Sequence, residues 1–231
     1  MMIIQEIRDE FKRKLQNEEF VENANKTGSR TIEIVNAAFL VPPEEVSLFG
    51  AVNHEYIKRE MEWYLSESLN VNAFPGGPPK IWVQVAGSTG LINSNYGHCI
   101  FSVSNGSQYT GALKAIEDDL GTRRALMIYT RPSMHEDYNH TGMSDFICTN
   151  TVQYLVRDDK LHSMVSMRSN DALIGFRNDL HWQRYVHSRL LGDVQKKYPQ
   201  VTLGDLWWNA GSLHVYARNF NLVDENYTSK D

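Results

Sequence analysis

Residues 145–171 read DFICTNTVQYLVRDDKLHSMVSMRSND, and this stretch decides the fold class. Val152, Tyr154 and Val156 alternate with more polar neighbours, and Leu161, Val165 and Met167 keep the same period of two. That spacing predicts two half-buried strands, over Thr151–Arg157 and Leu161–Met167, joined at Asp158-Asp159. An antiparallel partner of similar length returns the chain close to where it started, so Arg168 is expected near Cys148. A guanidinium there would stabilise a thiolate and lower its pKa. Taken alone, a cysteine beside a strand reads as a small buried hydrophobe, and Arg168-Ser169-Asn170-Asp171 also suits a helix N-terminus capped by Ser or Asn. The two readings of the tetrapeptide are compatible.

Downstream, the pattern predicts a long helix from about Asp171 to Leu191 and an extended segment from Leu203 to Tyr216. Upstream, a strand is expected over Arg124–Thr130, broken by Arg131-Pro132, and a helix over Tyr109–Leu120. Asn70 to Lys80, with Pro75-Gly76-Gly77-Pro78-Pro79, reads as a surface loop too short to mark a second domain. A charged helix is expected from His54 to Ser68. Before it lie a strand from Thr31 to Leu40, ended by Pro42-Pro43, and a polar turn at Lys26-Thr27-Gly28-Ser29. Ile4, Ile7, Phe11 and Leu15 mark one face of an opening helix. Helices and strands mix without regular βα alternation, which predicts an α+β fold in one domain of 231 residues.

Charge narrows the function. Against 28 Asp and Glu there are 23 Lys and Arg, a net charge of −5, so no electrostatic footprint for nucleic acid is present. No stretch approaches the roughly 18–20 apolar residues of a membrane span, and the start, MMIIQEIRDEFKRK, lacks the apolar block of a signal peptide. Cys99 and Cys148 are too few for a disulfide framework, and a reducing cytoplasm is expected. The cluster from His135 to His140 matches no usual zinc spacing, and His181 and His187, six apart, do not share a helix face; no metal is expected. Gly76-Gly77 is not followed by the Lys-Ser/Thr of a phosphate loop.

A set of short motifs stands in consistent order from Lys26 to Tyr216: Lys26-Thr27-Gly28, Glu60 with Trp63, Ile81-Trp82, Asn95-Tyr96-Gly97, Arg123-Arg124, Cys148, Arg168-Ser169-Asn170-Asp171, Gly175 and Ser212-Leu213-His214-Val215-Tyr216. Together they resemble the thymidylate synthase family, and within it the phage branch that hydroxymethylates dCMP. The resemblance implies a mixed β-sheet flanked by helices and a sheet-to-sheet homodimer. Cys148 matches the nucleophile that adds to carbon 6 of the pyrimidine, and Glu60 the acid/base that manages protons through ordered water. Arg168 and Ser169 match phosphate ligands, and Arg123 and Arg124 the pair that a second subunit lends to the same phosphate. Lys26 stands where synthases usually have an arginine in a phosphate loop. His214 and Tyr216 match the residues that hold the sugar 3′-hydroxyl. Asp171 matches the carboxylate that anchors the folate pterin, with Trp82 and Tyr96 also assigned to the folate side.

Two departures from the family pattern bear on substrate. Thr149 follows Cys148 where synthases usually have His, and Asp179 stands where synthases acting on dUMP place Asn. Cytosine presents an amino donor and an unprotonated ring nitrogen, reversing the edge of uracil. A carboxyl group can share a proton with that edge, and burial would raise its pKa for the purpose. An ordinary solvent-facing helix acid is the alternative for Asp179. The resemblance thus implies conversion of dCMP, 5,10-methylenetetrahydrofolate and water to 5-hydroxymethyl-dCMP and tetrahydrofolate, in the host cytoplasm if phage-encoded, with no membrane or nucleic-acid partner. The polar tail Asn226–Asp231 does not match the segment that closes the folate site in the family. A thymidylate synthase, a dUMP or CMP hydroxymethylase and a non-catalytic nucleotide- or RNA-binding relative are the competing readings.

Overall fold

The structure, a computed structural model, describes residues 2–22 and 29–227; Lys26 and the tail beyond 227 lie outside them. The strands are β1 (Met2–Ile3), β2 (Thr31–Val41), β3 (Leu126–Ile128), β4 (Thr149–Arg157), β5 (Lys160–Asp171) and β6 (Thr202–Tyr216). They hydrogen-bond in the order β1-β2-β6-β5-β4-β3. The helices are α1 (Ile4–Gln16), α2 (His54–Leu65), α3 (Lys80–Val85), α4 (Tyr96–Phe101), α5 (Gln108–Asp118), α6 (Met134–Asp137), α7 (Ile174–Val194) and α8 (Phe220–Val223). The α+β expectation holds: β1 pairs parallel to β2, β2 pairs antiparallel to β6, and β3 pairs antiparallel to β4. No helix among the described residues is long and apolar enough to cross a membrane. The chain forms two compact units, one of Met1–Val52, Met164–Val186 and Asp205–Asp231, the other of Asn53–Ser163 and His187–Gly204.

In the first unit, α1 buries Ile4, Ile7, Phe11 and Leu15, the stripe that the sequence spacing predicts. Phe11 meets Phe49 edge-on at 5.8 Å, and Phe176 wedges against Phe39 and Trp208 at 5.9 and 5.0 Å. Arg8 ties α1 to the loop after β2, donating to Leu48 O at 2.8 Å and pairing with Glu45. The β2–β6 ladder runs from Thr31 opposite Tyr216 to Val41 opposite Leu206, but skips Asn36 and Gly211. Asn36 is left-handed there, at φ 55°, a conformation that Asn adopts more readily than most side chains. A Cβ on Gly211 would lie 2.9 Å from the carbonyl oxygen of Arg168, so only glycine fits.

In the second unit, Trp63 of α2 is the centre of an aromatic cluster with Phe74, Trp82 and Tyr64 at 5.3, 5.1 and 5.7 Å. Asn95 caps α4 by accepting from His98 N–H, and its amide donates to Trp63 O and Ser68 O, both at 2.9 Å. These bonds draw α4 against α2 so tightly that a Cβ on Gly97 would sit 1.8 Å from Tyr64 O. Arg189 covers the rings of Phe101 and Tyr109 at 4.6 and 5.3 Å.

Several expected boundaries shift. The long helix begins at Ile174 rather than Asp171, because β5 continues through the Arg168–Asp171 tetrapeptide and Ala172 N–H donates to His214 O at 2.8 Å. Neither Ser169 nor Asn170 caps it; Asp171 Oδ1 instead accepts from Leu173 N–H at 2.9 Å. The expected loop from Asn70 to Lys80 buries Val71 and Phe74, since Phe74 belongs to the Trp63 cluster, and α3 starts at its end. The helix from His54 stops at Leu65, and the strand expected over Arg124–Thr130 contracts to β3.

Candidate active site

The residues singled out in the sequence fall into two sets, one in each unit. In the second unit, Cys148 is a half-buried thiol outside any disulfide, immediately before β4, with Sγ 3.8 Å from Phe146 O. Its neighbour Thr149 is fully buried and leaves Oγ1 without a hydrogen-bond partner. The chain reaches Cys148 through Asp145, a buried carboxylate that accepts from Asn93 N–H, Ser94 N–H and the Ser94 hydroxyl, each at 2.7 Å. That cluster fixes the segment before Tyr96 to the segment before Cys148.

Glu60 lies on the inner face of α2, only 5% exposed. Tyr56, one turn earlier, donates its hydroxyl to Glu60 Oε1 at 2.7 Å, and Trp82 Nε1 donates to the same oxygen at 3.3 Å. Burial pushes the carboxyl up to about 7, while the two donors act the other way by favouring the anion. A carboxyl poised there exchanges a proton readily near neutral pH. The structure thus brings Glu60 and Trp82 together. Tyr96 is buried, stacked on Tyr64 at 5.2 Å and edge-on to Tyr129 at 5.3 Å. Arg123 and Arg124 are exposed and line an open cavity of about 650 Å³ with Lys114, Asp118 and Thr122.

In the first unit, Asn170 is 3% exposed and donates its amide to Asp179 Oδ2 at 2.8 Å. Asp179 is half-buried in the second turn of α7. Gly175 permits the approach: a Cβ there would meet Asn170 Nδ2 and Asp171 Cβ at 3.3 Å each. Asn170 Oδ1 is buried without a hydrogen-bond partner. Ser169 is half-buried, and Arg168 is exposed at the same end of β5.

His214 faces Glu33 across the β2–β6 ladder and lies edge-on to Tyr216, ring centroids 5.0 Å apart. The Ser212 hydroxyl donates to Glu33, so its 3.2 Å contact with His214 Nδ1 is an N–H donating to the serine oxygen. Burial lowers the His214 pKa, against the charges of Asp171 and Glu33, so the ring is neutral at pH 7 and Nε2 is an acceptor. Arg218 covers the Tyr216 ring at 4.5 Å.

Tyr56, Asn170, Ser212 and Glu33 are site neighbours that the sequence reading assigned no role. The i, i+4 spacing of Tyr56 and Glu60 on a predicted helix was the available signal. Among the described residues, no three His, Cys, Asp or Glu side chains gather as a cation site.

The family profile described as "Thymidylate synthase" matches residues 9–230. Proteins named deoxycytidylate 5-hydroxymethyltransferase from Enterobacteria phage T6 and Enterobacteria phage T4 are each 52% identical over 225 residues, covering 96% of this chain and 90% of theirs. The crystal structure of thymidylate synthase from T4 phage superposes with a TM-score of 0.71 at 19% identity, covering 97% of this chain and 82% of that one.

Proposed function

The chain belongs to the thymidylate synthase family, and from that membership we propose that it converts dCMP to 5-hydroxymethyl-dCMP. The observation that carries the reading is a carboxylate, Asp179, held by the buried amide of Asn170 in a chain 52% identical to phage proteins named for this reaction. Asp179 shares a proton with the ring nitrogen and amino group of cytosine, an edge that an amide cannot match in the same way. The thiolate of Cys148 adds to carbon 6, which makes carbon 5 nucleophilic. Glu60, poised near neutrality, orients water and moves its proton. His214, neutral with Nε2 as acceptor, takes a hydrogen bond from the sugar 3′-hydroxyl, beside Tyr216. Arg168 and Ser169 bind the phosphate, together with Lys26.

The family uses 5,10-methylenetetrahydrofolate, which when bound supplies the one-carbon unit. The residues assigned to it fit: Trp82 is half-buried beside exposed Ile81, an apolar flank for a flat ring, and Asp171 offers a carboxylate to the donors of a pterin. Tyr96 acts on the same side from within the aromatic packing. We read the whole chain as one catalytic domain, which the match to residues 9–230 supports. It works as a homodimer in which Arg123 and Arg124 reach the phosphate of the partner, and their exposure supports this. It works in the cytoplasm, where the thiols of Cys99 and Cys148 stay reduced.

Incubation with 5,10-methylenetetrahydrofolate and either dCMP, dUMP or CMP tests the reading. 5-Hydroxymethyl-dCMP with tetrahydrofolate is expected, with dCMP preferred; dTMP with dihydrofolate overturns it.

A further inference from the structure

Both hydrogen bonds that Glu60 accepts, from Tyr56 Oη at 2.7 Å and Trp82 Nε1 at 3.3 Å, fall on one oxygen, Oε1. Oε2 accepts neither of them. A carboxylate gripped on one side only has its two oxygens made unequal: the double donation fixes the plane of the group and draws negative charge toward Oε1. The proton that comes and goes is thereby directed to Oε2.

We propose that Tyr56 is a positioning residue for the reaction: its hydroxyl, with Trp82, locks Oε1 of Glu60 so that Oε2 alone faces the water whose proton is moved. This rests on the role proposed for Glu60. Local geometry favours Tyr56 for the task. It stands one turn before Glu60 on α2, so the two side chains share a face, and its ring is tilted against Phe74 at 6.0 Å, which restricts the direction of the hydroxyl. Arg59, on the same helix, is turned away to the carbonyls of Pro75 and Gly77 and over the Phe74 ring. Among the described residues, the side chains that shift the Glu60 carboxyl are Tyr56 and Trp82, and neither is charged. Tyr56 therefore controls both the orientation of the group and, by favouring the anion, the pH at which it releases its proton.

The test compares the full-length wild type with Tyr56→Phe and Glu60→Gln. Product formation is followed against pH, and the Glu60 carboxyl is titrated directly by carbon-13 NMR, its resonance assigned by its absence in Glu60→Gln. Loss of the phenol hydroxyl is expected to move the Glu60 midpoint, and the acid limb of the rate profile with it, upward by about one pH unit, the effect of one hydrogen bond to a charged group. Fluorination of the Tyr56 ring, which makes the phenol a stronger donor without changing the packing, is expected to move the midpoint the other way. A midpoint unmoved by both changes overturns the proposal, as does a Tyr56→Phe enzyme slowed equally at every pH. Should Glu60→Gln retain the wild-type rate and pH limb, the role of Glu60 itself is lost; should Glu60→Gln abolish product while Tyr56 proves silent, only the proposal for Tyr56 is lost.

Discussion

The amide of Asn170, at the end of β5, donates to Asp179 Oδ2 across the first turns of α7 at 2.8 Å. That bond marks Oδ2 as an acceptor and holds the carboxyl toward the end of β5. Asn at 179 would present an amide to Asn170 and could rotate, but could not exchange a proton with a pyrimidine. Asp179→Asn is expected to shift preference from dCMP toward dUMP by about 1–3 kcal/mol, the penalty of a mismatched buried polar edge. The ratio of kcat/KM for the two nucleotides measures it; an unchanged ratio removes Asp179 from the specificity argument.

If Cys148, half-buried before β4, is the nucleophile proposed above, it serves chemistry more than ground-state binding. Cys148→Ser is expected to abolish exchange of the carbon-5 hydrogen of dCMP with solvent while leaving dCMP affinity within roughly tenfold. Exchange at the wild-type rate would rule out the covalent step.

Burial of Glu60 also bears on stability. The folded protein holds this proton up to about pH 7, whereas an unfolded glutamate releases it near 4.5. Stability therefore falls as pH rises through that window, by about 3 kcal/mol across it. Gln can still accept from Tyr56 and Trp82 but does not titrate. Urea unfolding at pH 5 and pH 8 is expected to show Glu60→Gln gaining on the wild type at the higher pH; parallel behaviour of the two proteins would contradict this.

At Gly97 there is no room for a side chain, because a Cβ would lie 1.8 Å from Tyr64 O. Relief requires separating α4 from α2, which breaks the bonds from Asn95 to Trp63 O and Ser68 O. Gly97→Ala is expected to lose more than about 4 kcal/mol, as overpacking and loss of buried hydrogen bonds combine. Circular dichroism and urea unfolding check it, and a near-neutral result would mean that the two helices can part cheaply.

Exposure of Arg123 and Arg124 in an open cavity leads to a complementation test. If the pair serves the partner's phosphate, Cys148→Ala and Arg124→Ala proteins, each defective alone, should regain activity when dissociated and reassociated together. No recovery in verified mixed dimers would place the arginines in their own subunit's site.

The parts of the fold that were legible are those where one local rule suffices. The α1 stripe follows the helical period, and the β4–β5 hairpin follows period-two alternation around Asp158 and Asp159, both at positive φ. The start of α7 was not, because Ser, Asn and Asp at 169–171 signal a cap while β5 carries them as strand, with Ala172 bonded to His214 O. Helices α3 and α4, six residues each, are too short to show a period and depend on the Trp63 cluster and the Asn95 bonds. In the candidate site, Cys148, Glu60 and Asp179 are proposed from motif order. The partners that tune them, Tyr56 and Asn170, depend on rotamers and close approach, which spacing alone does not specify.

Because the ladder between β2 and β6 lapses at Asn36 and Gly211, the two strands behave as a pair of short zippers in series. Ala37–Val41 with Leu206–Ala210 makes one; Thr31–Val35 with Ser212–Tyr216 makes the other, and it carries Glu33, Ser212, His214 and Tyr216. Such a joint uncouples wear from support: substitutions that re-tilt the residue-bearing zipper need not unfasten its neighbour. Side chains on that zipper can therefore be exchanged over generations without rebuilding the framework beneath them.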